Sequence, residues 1–413
     1  MGDALLLLPK GAMGLLVLLG LLMGSMRGGR ARRTTVLVGI AVLALGFGAG
    51  ILLLGRSASF FHAALVVDRF SLFADLVLLA LGVVISLAAL DGPGAGRDGD
   101  DFVLLFALSL FGASVLDSAG SLIVIFLAVE LTIIPSFALV AFRGEDRRSY
   151  EGALKYFILS VLASAVLYYG LSLIYGATGS VAVPLATEPE TSALLLVGIG
   201  FTLVGFGFKL AAFPFHQWLP DAFEVSHPEV AAFLAVAPKL AAVVALVRIL
   251  DGLGGQSGAW TFALALVAFG TMFWGNLAAF LQQGLRRMLA YSAIAHAGYA
   301  LVGVAAGSAR GLDGAVLYFA AYASAAVGAF LVVAFLEREG AGDSIAGLGG
   351  LGRRRPALAA ALTVFLISLI GVPLFAGFWG KFSVFLGAIE GASFGWPWWG
   401  CSTVPCPSAT TAT

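Results

Sequence analysis

Four ionisable residues lie in apolar surroundings: Glu130, Lys209, Lys239 and Lys381. Lys209 sits in SALLLVGIGFTLVGFGFKLAAFPFHQW, shortly before the helix-breaking Pro214. Glu130 sits in SLIVIFLAVELTIIPSF, and Lys239 follows Pro238 in FLAVAPKLAAVVAL. A charge at the centre of a bilayer costs ~2.5–3.5 kcal/mol on insertion scales, so a membrane helix carries one chiefly for function. Burial favours the neutral form of an amine, and an approaching carboxylate favours the charged form. An acid and several amines at similar depth therefore read as a proton path. The rival reading of Glu130 is a static ion pair that locks helices together. The rival for the lysines is a snorkelling chain that reaches the interface. It applies best to Lys381, which ends its apolar run; the break at GVPLFAGFWGK, with Pro373, favours a functional role.

Imidazoles and hydroxyls add candidate relays. A neutral imidazole accepts at one ring nitrogen and donates at the other. His216 falls in PFHQWLP, between Pro214 and Pro220. His296 falls in LAYSAIAHAGYAL, where Ser292 and Tyr299 share its helix face at i−4 and i+3. The rival for both is a hydrogen-bonded packing histidine. His62 and His227 read as loop or interface residues. Asp221 and Glu224 read as a polar entrance or as solvated loop carboxylates. Asp68 and Asp75 carry no signal.

The elements that must position these groups are membrane helices. The 413-residue chain is 60% hydrophobic and only 11% charged, with a mean hydropathy of +1.02. Soluble domains are roughly 25% charged. Apolar runs long enough to cross ~30 Å of hydrocarbon recur along the whole length. The formal net charge is zero, which points away from nucleic acid. Both cysteines, Cys401 and Cys406, lie in the C-terminal tail, so no thiolate set for an iron–sulfur cluster exists elsewhere. The four histidines are scattered, and no metal site is expected. The N-terminus lacks a basic leader and reads as a retained helix.

The pattern predicts helices over residues 4–23, 35–54, 68–90, 101–117, 120–142, 152–175, 192–218, 229–250, 259–281, 287–306, 314–337 and 357–379, with a partial stretch at 382–391. The expected fold is an all-α, polytopic bundle of about 12–13 transmembrane helices. Arginines cluster after the first helix (Arg27, Arg30, Arg32, Arg33) and the fifth (Arg143, Arg147, Arg148). They recur after the ninth (Arg286, Arg287) and the eleventh (Arg338, Arg353, Arg354, Arg355). All these loops fall on one side if every helix crosses; the other side carries chiefly Arg56, Arg69 and Arg310. The positive-inside rule then turns the N-terminus away from the cytoplasm. The seventh and twelfth helices are interrupted, as in inverted-repeat transporters. The expected organisation is three helices over 1–100, a first five-helix repeat over 101–250, a second and incomplete one over 259–391, and an aberrant tail over 392–413.

Several segments resemble the antiporter-like membrane subunits of bacterial NADH–quinone oxidoreductase, respiratory complex I. They are ELTIIPSFALVAFRGEDRRSYEGALKYFILSVLASAVLYYGLSLIYGATGS, FKLAAFPFHQWLPDAFE, FLAVAPKLAA, GNLAAFLQQGLRRMLAYSAIAHAGYALVG and GVPLFAGFWGKF. The likeness covers about residues 60–390, and ALKYF and SLIYGATGS look like subunit N rather than its sisters L and M. The resemblance implies a fourteen-helix proton-pumping subunit with two inverted repeats. Glu130 and Lys209 match the paired residues of its first half-channel, Lys239 the central lysine and Lys381 the exit-side lysine. It implies NADH, FMN, iron–sulfur clusters and quinone in the complex but none on this chain, sister subunits as partners, and the bacterial inner membrane as location. The alternatives are a subunit of a multisubunit cation/proton antiporter and a passive membrane scaffold. Two departures stand out. The family reads like YEGAPTPV where this chain has FEVSHPEV, and the text after Gly391 shows no family likeness. The expectation is that a frameshift or premature end has removed the last one or two helices, a naturally short variant being the alternative. The second repeat, and with it a sealed channel at Lys381, would then be incomplete.

Overall fold

The computed structural model describes residues 3–24, 29–92, 99–143, 147–183, 192–252, 258–340 and 342–391. The predicted tail over 392–413, with both cysteines, lies outside the described residues. The N-terminal helices are α1 (Leu8–Gly24), α2 (Gly29–Leu53) and α3 (Arg69–Ala89). A hairpin of β1 (Ala58–Phe60) and β2 (Leu65–Val67) joins α2 to α3. This small antiparallel pair is absent from the sequence reading, because three-residue strands are too short to show a period. Then come α4 (Gly99–Asp117), α5 (Leu122–Ala141), α6 (Arg147–Thr178), α7 (Ala193–Leu210), the short α8 (Trp218–Val225) and α9 (Pro228–Gly252). The last group is α10 (Gly258–Ala279), α11 (Leu285–Ala306), α12 (Ala309–Arg338), the one-turn α13 (Leu351–Arg354), α14 (Pro356–Ile370) and α15 (Ala376–Glu390).

Among the described residues, eleven helices are long and apolar enough to cross a membrane, and Pro356–Ile370 is a shorter apolar helix. Adding α14, or α14 and α15, to these brings the count to the expected 12–13. Helix α9 is the central pillar, buried along almost its whole length. It packs against α3, α4, α5, α7, α8, α11 and α12. Around it the packing order repeats. Helix α4 lies on α5, α5 on α6, and α6 on α7 and α8; likewise α10 lies on α11, α11 on α12, and α12 on α14 and α15. The closest approaches correspond too. A methyl on Gly112 of α4 would come within 2.6 Å of the Thr132 nitrogen, and one on Gly275 of α10 within 2.6 Å of the Ala295 nitrogen. Small residues at these crossings let the backbones meet, which is how membrane helices gain dispersion energy where no water drives them together.

Both broken helices break earlier than the pattern predicted. Helix α7 ends at Leu210, not at residue 218, because Ala211 adopts a left-handed conformation (φ 54°, ψ 41°). Apolar side chains continue through the break, so hydropathy ran straight across it. Pro214 lies inside the break, whereas Pro220 lies in the first turn of α8 and breaks nothing; a first-turn proline loses no helical hydrogen bond. The expected twelfth helix over 357–379 divides at residues 371–375, around Pro373. Lys381 therefore sits inside α15 and not at the end of an apolar run.

Candidate functional site

The first group of side chains is organised by one face of α6. Ser160, Ser164 and Tyr168 recur at four-residue spacing, and so stack along one stripe. The Tyr168 hydroxyl donates to Glu130 Oε1 on α5. The Lys209 ammonium on α7 donates to Ser164 Oγ at 3.3 Å and Ser160 Oγ at 3.5 Å. Lys209 is buried, and Glu130 is partly buried. The two are held on the same α6 stripe by different hydroxyls. The sequence reading missed these three residues. Their signal was available: polar side chains at i, i+4 and i+8 in an otherwise apolar helix.

The second group gathers around α11. Lys239 follows Pro238 on α9 and is wholly buried. Its Nζ donates to the Ala293 carbonyl of α11 at 3.0 Å. Three residues on, the His296 ring hydrogen-bonds through Nδ1 with the Tyr318 hydroxyl of α12 and lies 4.7 Å from the Tyr322 ring. Lys381 Nζ donates to the Leu369 and Ile370 carbonyls, each at 3.0 Å, and lies 4.6 Å from the Tyr299 ring centroid. Those carbonyls end α14, where Gly371 turns the chain with φ 93°. The break thus exposes acceptors, and Lys381 takes them at the negative end of the helix dipole. A cavity of about 70 Å³ lies here, lined by Asn276, Ser292, His296, Tyr299 and Lys381 among others. It is polar and roomy enough for water, which needs only ~10–15 Å³ and two to four polar partners.

The structure therefore brings Ser292, His296, Tyr299, Lys239 and Lys381 into one region. It brings Glu130 and Lys209 to a second, with α6 between them. His216 joins neither by a hydrogen bond. It is buried in the α7–α8 break beside Phe213 and Trp274, and its Nδ1 has no partner among the described residues. Asp221 and Glu224 do not stand free at an entrance. Arg287 holds both, at 3.0 and 2.5 Å, and Lys155 approaches Asp221 at 3.5 Å.

The folds that share this arrangement belong to antiporter-like membrane subunits. A chain of the Mrp complex from a Dietzia species superposes with a TM-score of 0.86 at 23% identity, over 98% of this chain and 78% of that one, a likeness of fold. A chain of respiratory complex I from Thermus thermophilus, with bound aureothin, superposes with a TM-score of 0.82 at 30% identity, over 97% and 87%. The family described as "NADH:quinone oxidoreductase/Mrp antiporter, TM" matches residues 119–403. That match runs past Gly391, where the sequence reading saw the likeness end. NADH-quinone oxidoreductase subunit N of Sphingopyxis alaskensis is 37% identical over 396 residues, covering 94% of this chain and 83% of the relative. Subunit N of Rubrobacter xylanophilus is 39% identical over 404 residues, covering 95% and 83%. The chain belongs to the NADH:quinone oxidoreductase/Mrp antiporter family, in its subunit N branch.

Proposed function

We propose that this chain is a proton-translocating membrane subunit of an NADH–quinone oxidoreductase, with Glu130, Lys209, Lys239 and Lys381 as the groups that take and release protons. The carrying observation is the company these lysines keep. Among the described residues, the side-chain hydrogen bonds of Lys209, Lys239 and Lys381 all go to neutral oxygens: serine hydroxyls or backbone carbonyls. An ammonium clamped by carboxylates is costly to discharge; one held only by neutral acceptors can trade its proton. When Glu130 leaves Tyr168 and approaches Lys209, Lys209 is favoured charged. When it withdraws, the proton of Lys209 moves on toward Lys239, then through the polar cavity by His296 and Tyr299 to Lys381. Each unit of pKa change is worth about 1.4 kcal/mol, and moving one charge across 100 mV costs about 2.3 kcal/mol, so shifts of a few units suffice.

The redox groups belong to partner subunits in this reading: NADH, FMN, iron–sulfur clusters and quinone lie off this chain, and coupling reaches it as a change in electrostatics. The chain sits in a bacterial inner membrane, with its arginine-rich end toward the cytoplasm and its N-terminus away from it. Lys209→Ala in the assembled complex tests the proposal: NADH oxidation and assembly persist while proton export fails. A normal proton-to-electron ratio in that variant sinks it. Sodium-dependent transport without quinone chemistry would instead favour a cation/proton antiporter, the reading that the Mrp-like fold supports.

A further inference from the structure

A second buried ionic cluster lies away from this line, where α1, α3, α4 and α9 meet. Lys10, Asp75, Ser114 and Asp117 are at most 4% exposed. The Lys10 ammonium donates to the Ser114 carbonyl at 2.6 Å and Asp117 Oδ1 at 2.9 Å, with Ser114 Oγ at 3.3 Å. It also lies 2.9 Å from Asp75 Oδ2. Ser114 Oγ in turn donates to Asp75 Oδ1 at 2.5 Å. Among the described residues, Arg248 of α9 is the remaining nearby cation, and it is already engaged. Its Nε donates to the Asp117 backbone carbonyl at 3.0 Å, and its Nη2 to Asp68 Oδ1 at 2.8 Å. At the same end of the bundle, Arg69 and Asp313 pair with each other at 2.8 Å on the surface.

The charges do not cancel. Arg248 is balanced by Asp68, and Lys10 is left to face two carboxylates. An uncompensated charge in the interior costs several kcal/mol even after relaxation, so like-charged acids at one site cannot both stay ionised. Two further observations point to what makes up the difference. Asp117 Oδ2 is fully buried and has no hydrogen-bond partner among the described residues, and Asp75 Oδ2 and Asp117 Oδ1 lie on one Lys10 ammonium, each at 2.9 Å. The place a metal cation would take is filled by the Lys10 ammonium, with four oxygens around it. We propose that Asp75 and Asp117 hold one proton between them, forming a proton-binding site in the N-terminal helices that is separate from the Glu130–Lys381 line. The pair carries this one proton, and Lys10 neutralises the single negative charge that remains. The pair holds this proton whether or not the main line pumps.

Infrared spectra of the assembled complex in H2O and D2O, taken as differences between wild type and each variant, test this. Wild type shows a protonated-carboxyl C=O band that shifts in D2O. Asp75→Asn and Asp117→Asn each remove that same band, because the surviving aspartate ionises against Lys10. Glu130→Gln leaves it in place. Asp117→Glu, which keeps the acid, moves the band without removing it and keeps the test readable if an asparagine variant fails to assemble. A band that survives both asparagine substitutions means two ionised aspartates and overturns the proposal. A band lost in only one of them means that the surviving aspartate stays protonated beside Lys10, and overturns the charge balance on which the proposal rests.

Discussion

Lys10 and Lys209 are the same side chain, both buried, in opposite company. Lys10 sits between two carboxyl groups and is locked. Lys209 meets two serine hydroxyls on α6. Hydrogen bonds to a charged group contribute ~1.5–3 kcal/mol each, so removing both acceptors raises the cost of holding a proton at this point. The paired change Ser160→Ala and Ser164→Ala is therefore expected to slow proton export about tenfold or more, since each ~1.4 kcal/mol is a factor of ten. Assembly should survive, because both serines leave a cavity smaller than a methylene. Proton-pumping rates in vesicles give the answer, and an unchanged rate excludes a role for the stripe. Tyr168→Phe is expected to free Glu130 from α6 and lower the proton-to-electron ratio without abolishing NADH oxidation. The ratio measured across vesicle membranes checks it.

At the scale of elements, the broken helices matter because a break creates acceptors that an intact helix would consume. Lys381 takes the terminal carbonyls of α14, and Gly371 makes the turn that presents them. A Cβ at Gly371 would face Lys381 Cδ at 3.2 Å, on backbone of φ 93°. Gly371→Ala is expected to cost ~1–2 kcal/mol in backbone strain and to push Lys381 off its acceptors, lowering pumping more than stability. Gly352→Ala, where a Cβ meets nothing within 4 Å, is the control and should change neither. Parallel pumping and thermal-shift measurements on the two variants separate the effects.

At the scale of the molecule, one end of the bundle collects cations from distant parts of the chain. Arg286 lies 3.2 Å from Glu337 and 3.4 Å from Asp343 and donates to the Ser226 carbonyl at 2.8 Å. Arg143 reaches Glu337 at 3.3 Å, and Arg338 pairs with Glu229. Breaking a buried pair by removing one partner costs roughly 3–5 kcal/mol, so Arg286→Ala is expected to lower the Tm of the complex, as thermal denaturation would report. His227 lies among these groups, in the connection between α8 and α9. Burial first, and then Arg143, Arg286 and Arg338, push its imidazole down from 6.5 to about 4. Folding then favours the neutral ring. Its contribution is complete above the ordinary imidazole value and is lost as pH falls from 6.5 toward 4. His227→Gln should flatten the acid side of a stability–pH profile in that window; an unaltered profile refutes the assignment.

Hydropathy alone determined that this is a bundle of membrane helices, because a span needs some twenty apolar residues and the pattern of side chains records that directly. It also singled out Glu130, Lys209, Lys239 and Lys381, since a charge in an apolar run stands out whatever surrounds it. The arginine spacing sorted the loops, and Arg143, Arg286 and Arg338 do converge at one end. Tertiary structure decided everything that depends on who faces whom. The exact break at Ala211, the capping of α14 by Lys381, the α6 stripe between Glu130 and Lys209, and the cluster of Lys10, Asp75 and Asp117 join residues up to 107 positions apart. Asp75 carried no signal in the sequence because one carboxylate near a helix start is ordinary; only the fold brings a lysine and a second carboxylate to it. Partner identity is a property of packing, and a linear pattern records which residues are buried far better than which ones meet.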